Sequence, residues 1–221
     1  EGGRWKAASE ASKKLFELKR TSPWACYFRG MVLLHEENYE EAANFLQNAV
    51  SRAGQPWPEA RYALAEALDK AGKTEQTRSN YEQVLQAAEK AQMTNIQRKR
   101  KVQELRYRSM VALAGLLRAE YPKLAARHAL GAFQIYPHRR EAFELAEANR
   151  GQMEAKPDLV PLHAVALASR VGVQEAVAFC RERAKGADGE IRGAKLRILA
   201  ARLLARTGDY EAAVREYEGL K

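Results

Sequence analysis

Gly72-Lys73-Thr74, at the end of the run Ala67-Leu-Asp-Lys-Ala-Gly-Lys-Thr74, is the side-chain set with which a phosphate-binding loop grips a nucleotide. That loop, G-x-x-x-x-G-K-[ST], needs glycines so that backbone N–H groups can wrap the phosphates, and it follows a buried strand. Ala67 stands where the first glycine is required. The preceding "PEARYALAEAL", residues 58–68, is rich in alanine and leucine and holds no β-branched residue, so a helix is expected where the loop needs a strand. Nucleotide binding is not expected here. His35-Glu36 opens a run like the zinc motif H-E-x-x-H, but Tyr39 occupies the second histidine's place. His128, His138 and His163 lack ligand spacing, so no metal site is expected. "KGADGEIRG", residues 185–193, is glycine-rich but lacks the spacing and strand of a dinucleotide loop, and reads as a loop with Asp188 near a helix start. No Ser/His/Asp or Cys/His set has local support. The expectation is no catalytic residue, no cofactor and no enzyme.

The elements that would position these residues are helices. Abundant alanine and leucine, 29% charged residues and only 7 prolines in 221 favour an all-α chain. A spacing frame recurs along it: Gly30-x2-Leu33-x8-Ala42-x3-Leu46-x2-Ala49, then Leu68-x8-Thr77-x3-Tyr81-x2-Val84, then Leu167-x8-Ala176-x3-Cys180, then Leu204-x8-Ala213-x3-Tyr217. Leu113-x2-Leu116-x8-Ala125-x3-Ala129 is a weaker copy. Three- and four-residue intervals put the apolar residues on one helical face. Each unit therefore reads as two amphipathic helices joined by a tight turn, with Gly72 and Gly208 as turn glycines and Thr74 as a helix N-cap. About eleven or twelve helices are expected. Cys26 and Cys180, far apart in sequence, read as buried small apolar side chains.

The frame resembles the tetratricopeptide repeat family, W-x2-L-G-x2-Y, then A-x3-F, then P, best over residues 23–91 and 194–221. "GRWKAASEASKKL" resembles the second helix of a repeat, with Trp5 and Ala8 in the places of Tyr39 and Ala42. The second-helix small residues fall at 8, 42, 77, 125, 176 and 213, intervals of 34, 35, 48, 51 and 37 against a period of about 34. The two long intervals imply insertions: an extended helix in residues 94–120, and an unpaired helix "RREAFELAEANRGQM" followed by the linker "EAKPDLVP". The resemblance implies a helical-repeat solenoid of antiparallel helix pairs with irregular inserted helices in its middle. Three regions are expected: an N-terminal array over 1–93, a degenerate repeat with a basic helix and an extra helix over 94–157, and a C-terminal pair over 158–221.

Such arrays bind partners on the concave face lined by the first helix of each repeat. The resemblance puts Trp24, Tyr27, Met31 and Leu34 there in the first complete repeat. A peptide, helix or loop of a protein partner is the expected occupant. The competing expectation is that the helix at residues 3–20, or repeats upstream of residue 1, covers this strip. In the next repeat Glu59, Tyr62, Glu66 and Asp69 add an acidic strip. Some members hold a C-terminal carboxylate with lysine and asparagine, but Tyr27, Met31 and Ala63 stand at those positions here, so that role is not carried over. Between Gln97 and Arg108 lie Arg98, Lys99, Arg100, Lys101, Arg106 and Arg108 against Glu104. This patch reads as a solvated face first and an acidic protein surface second; nucleic acid or anionic lipid is disfavoured by the lack of interleaved aromatics.

The net charge of +9 suits an acidic partner only where the charge clusters. No apolar run reaches the ~20 residues of a membrane span. The start at Glu1, with neither Met nor a leader, suggests a piece of a longer cytoplasmic or periplasmic protein. The reading is a non-catalytic interaction scaffold; the alternative is an accessory region of a bacterial envelope protein that positions an enzyme or polymer exporter.

Overall fold

The computed structural model of the chain describes residues 2–90, 95–185 and 190–220. Among them are thirteen α-helices and no strand. They are α1 (Gly2–Leu18), α2 (Pro23–His35), α3 (Tyr39–Arg52), α4 (Pro58–Lys70), α5 (Thr74–Lys90), α6 (Ile96–Leu116) and α7 (Pro122–Ile135). They continue as α8 (Arg140–Ala148), α9 (Arg150–Glu154), α10 (Leu159–Arg170), α11 (Val173–Lys185), α12 (Glu190–Arg206) and α13 (Tyr210–Glu218). The expected all-α helical-repeat fold is what the chain forms.

The constant Leu-x8-small interval has a backbone cause. At the end of α4 the Lys73 N–H donates to the Leu68 carbonyl (2.9 Å) and the Gly72 N–H to that of Asp69 (3.0 Å), with Gly72 at φ +72°. This paired closure, with a left-handed residue just past the helix, satisfies carbonyls that would otherwise lack partners. The Thr77 N–H then bonds to the Lys73 carbonyl (2.9 Å) and begins the next helix. α12 ends identically through Leu204, Gly208 and Asp209, and Ala213 bonds back to Asp209. α2 ends through Leu33, Glu37 and Asn38, and Ala42 bonds back to Asn38, but here Glu37 holds the left-handed position at φ 62°. The nine-residue step from leucine to small residue is thus one turn geometry used three times.

The helices form two compact units, Glu1–His128 and Ala129–Lys221. In the first unit α1 to α6 pack each against the next, and α2 meets α4 as α4 meets α6. Leu33, Ala42, Leu46, Ala63, Leu64 and Leu68 make one core cluster. Ala65, Tyr81, Leu113, Leu117 and Ala125 make another. Gly30 has no side chain because none fits: a Cβ there would lie 2.6 Å from Leu46 Cγ. In the second unit α10 to α13 pack in chain order, and α9 meets both α8 and α10. Phe133, Met153, Val177 and Leu204 are fully buried there, and both small frame residues, Ala176 and Ala213, are buried. Cys26 and Cys180 are buried free thiols, and burial pushes the Cys180 thiol up to about 11.

Three local expectations are corrected. The Lys73 carbonyl accepts the first bond of α5, so Thr74 is the first helical residue and not the N-cap. The insertion over residues 139–153 is two helices, which brings the count to thirteen. Asn149 leaves helical geometry (φ −120°, ψ 30°) and its side-chain amide donates to the Leu145 carbonyl at 2.8 Å, ending α8. The linker after it is shorter than expected: α10 begins at Leu159 and takes in Pro161, which a first helical turn accommodates. The inserted basic stretch does form one long helix, α6, of 21 residues. Asp188 lies outside the described residues.

Candidate functional site

Pro23 at the first position of α2 and Pro58 at the first of α4 start the two helices that carry the site. On α2, Trp24, Tyr27, Phe28 and Met31 follow one face at helical spacing. Proline keeps the residue before it out of helical backbone, and Trp57, the N-cap of α4, sits at φ −124° and ψ 85°. This turns the Trp57 ring towards α2, 4.3 Å from the Trp24 ring and 4.8 Å from that of Tyr27. Phe28 stacks on Trp24 at 6.0 Å. Trp24 remains 55% exposed and Phe28 46% exposed, a large open aromatic area for one surface.

Tyr27, Met31 and Leu34 are half-buried against the cluster that includes Ala63 and Ala67 of α4. The neighbour that half-covers the strip is therefore the following repeat. The aromatic contacts of α1 lie elsewhere, with Trp5 stacked on His35 at 3.7 Å and Phe16 edge-on to Phe45 at 4.9 Å.

Glu59, Tyr62, Glu66 and Asp69 share one face of α4. The Tyr62 hydroxyl lies by the Glu66 carboxylate and Arg108 of α6, and Arg108 pairs with Glu104 at 2.8 Å. Burial holds the Glu66 carboxyl above the usual range, against the opposing pull of Tyr62, Arg108 and Lys70. The Tyr27 hydroxyl is pushed up by burial first and then by the negative charges of Glu59 and Glu66, which ties the α2 aromatics to the α4 carboxylates. Glu59 is half-buried and has no hydrogen-bond or ion-pair partner among the described residues. Asp69 is exposed further along the helix. The frame could not reveal Phe28 and Trp57; the only cue to Trp57 was an aromatic between two prolines.

Arg98, Lys99, Arg100 and Lys101 are all exposed at the start of α6, where the Asn95 side chain accepts from the Arg98 N–H at 2.8 Å. Four consecutive helical residues spread around most of the helix, so they share no single face. Arg108 of the same basic stretch pairs with Glu104 one turn back on α6, and its charge reaches Glu66 on α4.

Lys73 sits 3.7 Å from Glu40 at the surface, beside a turn whose geometry is a helix stop. His163 is fully buried among Phe133, Phe143 and Phe179, with Nε2 2.8 Å from a Glu147 carboxylate oxygen. Burial pushes its pKa down. Among the described residues no group of three or more His, Cys, Asp or Glu could hold a metal ion, and no helix is long and apolar enough to cross a membrane.

Two tetratricopeptide repeat models match the chain, one over residues 25–56 and one over residues 194–218. They fall on α2–α3 and α12–α13, two of the three places where the leucine–left-handed turn is built. The chain carries tetratricopeptide repeats at these two places. No curated protein matches it. Solved structures with similar folds include YrrB, described as a tetratricopeptide repeat protein with an unusual peptide-binding site, at 17% identity and TM-score 0.45, covering 96% of this chain and 91% of that one. BtubC from P. vanneervenii is 15% identical, TM-score 0.41, covering 98% and 87%. PilF of Pseudomonas aeruginosa is 18% identical, TM-score 0.40, covering 97% and 92%. Tetratricopeptide repeats are in general non-catalytic interaction modules, and the matched repeats support a protein-interaction scaffold.

Proposed function

We propose that the chain is a non-catalytic scaffold that binds a peptide, helix or loop of a protein partner along the face built by α2, α4 and α6 of its first unit. The observation that carries this is the open aromatic corner of Trp24, Phe28 and Trp57 beside half-buried carboxylates. Clustered, partly desolvated aromatics are the side chains that dominate interface energies. Trp24, Tyr27, Met31, Leu34, Tyr62, Glu66 and Asp69 are the proposed contact set, with the buried edges of Tyr27 and Tyr62 holding the surface in shape. The exposed Arg98–Lys101 turn is a secondary candidate for an acidic protein surface.

A photo-crosslinking amino acid in place of Phe28, in the full chain added to extract of the parent cell, tests the reading. The expected result is a discrete covalent adduct that Trp24→Ala removes, while the same probe at Asn44, exposed on α3, gives none. Adducts of equal yield from both positions would refute it.

A further inference from the structure

The carboxylate of Glu59 stands two residues after Trp57, in the first turn of α4, and its charge reaches the Tyr27 hydroxyl, whose ring lies 4.8 Å from that of Trp57. It has no counter-ion among the described residues, although the chain as a whole carries a net charge of +9. Arg108, whose charge reaches Glu66 on this face, is paired with Glu104 and lies by Tyr62. A half-buried carboxylate without a partner carries a desolvation cost that an incoming cation removes. The rings of Trp24, Trp57 and Tyr27 gather at the same corner, Trp24 being half-exposed, and an aromatic ring attracts a cation over its face. Glu66 and Asp69 keep the potential negative further along α4.

We infer that this corner receives a cationic side chain, arginine in preference to lysine, projecting from the bound partner segment: its charge pairs with Glu59 and its flat face stacks on the Trp24–Trp57 pair. Arginine is preferred because a planar guanidinium can stack on an aromatic face and pair with a carboxylate at the same time. The inference rests on the proposed role of this face as the partner site, and it names that partner's anchor. Charge complementarity excludes an acidic segment or a C-terminal carboxylate from this position.

The test is selection of a random nonapeptide phage library on the full chain, with the winning peptides then measured against variants. The expected peptides share an arginine or lysine at one fixed position. Replacing it with citrulline or norleucine should weaken binding roughly tenfold, as should Glu59→Gln, and the two losses should not add because they remove one contact. Salt should weaken the parent complex and leave the Glu59→Gln complex nearly unaffected. Glu59→Gln preserves side-chain shape, and an unchanged melting temperature shows that the loss is not unfolding. Peptides that bind in a Trp24-dependent way but carry no required cation would overturn the inference and leave the scaffold reading standing. Peptides that ignore Trp24→Ala, or no enrichment at all, would overturn both. Dimers that dissociate on Trp24→Ala would give the corner to a second copy of the chain and overturn the inference.

Discussion

Gly30→Ala adds one methyl group where α2 and α3 touch, and its cost can be worked from the contact. The new Cβ would lie 2.6 Å from Leu46 Cγ, 3.0 Å from Leu46 Cδ2 and 3.2 Å from the Ala42 carbonyl oxygen. Carbon atoms in ordinary contact are about 3.5–4.0 Å apart, so Leu46 must retreat by roughly 1 Å. It is fully buried in the cluster with Leu33, Ala42 and Leu64, and the carbonyl is backbone that cannot turn aside. Overpacking of this kind costs about 1–3 kcal/mol, while exchanging glycine for alanine in a helix returns at most about 1 kcal/mol. With the full return the net loss is about 0–2 kcal/mol, centred near 1. In a cooperative unit of this size a loss of about 1 kcal/mol is a fall of roughly 4 °C in melting temperature. Gly115→Ala is the matched control: it sits in α6 with nothing within 4 Å of its added Cβ, so only the helix preference remains and the temperature should rise by about 2–4 °C. Calorimetry or circular dichroism at 222 nm on the full chain reads both. Shifts of the same sign in the two variants would show that the close approach at Gly30 has been misjudged.

Glu37→Gly should stabilise the chain by about 1 kcal/mol, because the left-handed position that glycine fills at Gly72 and Gly208 costs a side chain roughly that much; a lower melting temperature would refute this. Ala42→Leu should destabilise by about 1–3 kcal/mol while Lys73→Ala stays within about 0.5 kcal/mol, and equal melting temperatures would refute the buried role of Ala42. Glu66→Gln should raise the melting temperature at pH 7.5. A carboxyl whose pKa is raised on folding contributes stability only below its unfolded value, lost as pH rises through the folded value, so the gain should vanish below about pH 4. His163 has the opposite sign: its pKa is lowered on folding, so its contribution is present above about pH 6.5 and lost as pH falls below that. Glu147 and Glu154 favour its protonation and Arg150 opposes it, but burial dominates. His163→Phe should therefore flatten the decline in melting temperature between pH 7.5 and 5.5, with the residual slope from His128, also lowered by burial; an unchanged slope would refute the assignment.

The repeat architecture was legible because backbone geometry imposes it. Leucine, left-handed residue and returning small residue are tied together by hydrogen bonds whose ring sizes do not vary, so their spacing survives even where Glu37 replaces glycine. Gly72-Lys73-Thr74 could be separated from a phosphate loop on the same grounds. The break at Asn149 was not legible, since a single side-chain amide bonding to a carbonyl one turn back decides it and the apolar pattern runs through unchanged.

The surface obeys a different logic. The frame constrains only the side of each helix that faces its own pair, as Gly30 and Leu46 do, and leaves the opposite side free. Trp24 and Tyr27 could be placed on that free side from spacing alone. Trp57 could not, because it lies outside both helices and reaches the site through the non-helical backbone just before Pro58. Nor could the difference between Glu59 and Glu66, which share a face but not a fate: Glu66 is taken up by Tyr62 and Arg108, while Glu59 is left beside the rings with no partner. In a repeat fold the residues that packing does not explain are the ones available for binding, and at this corner what packing leaves over is the half-exposed Trp24 and Phe28 and one carboxylate with no partner among the described residues.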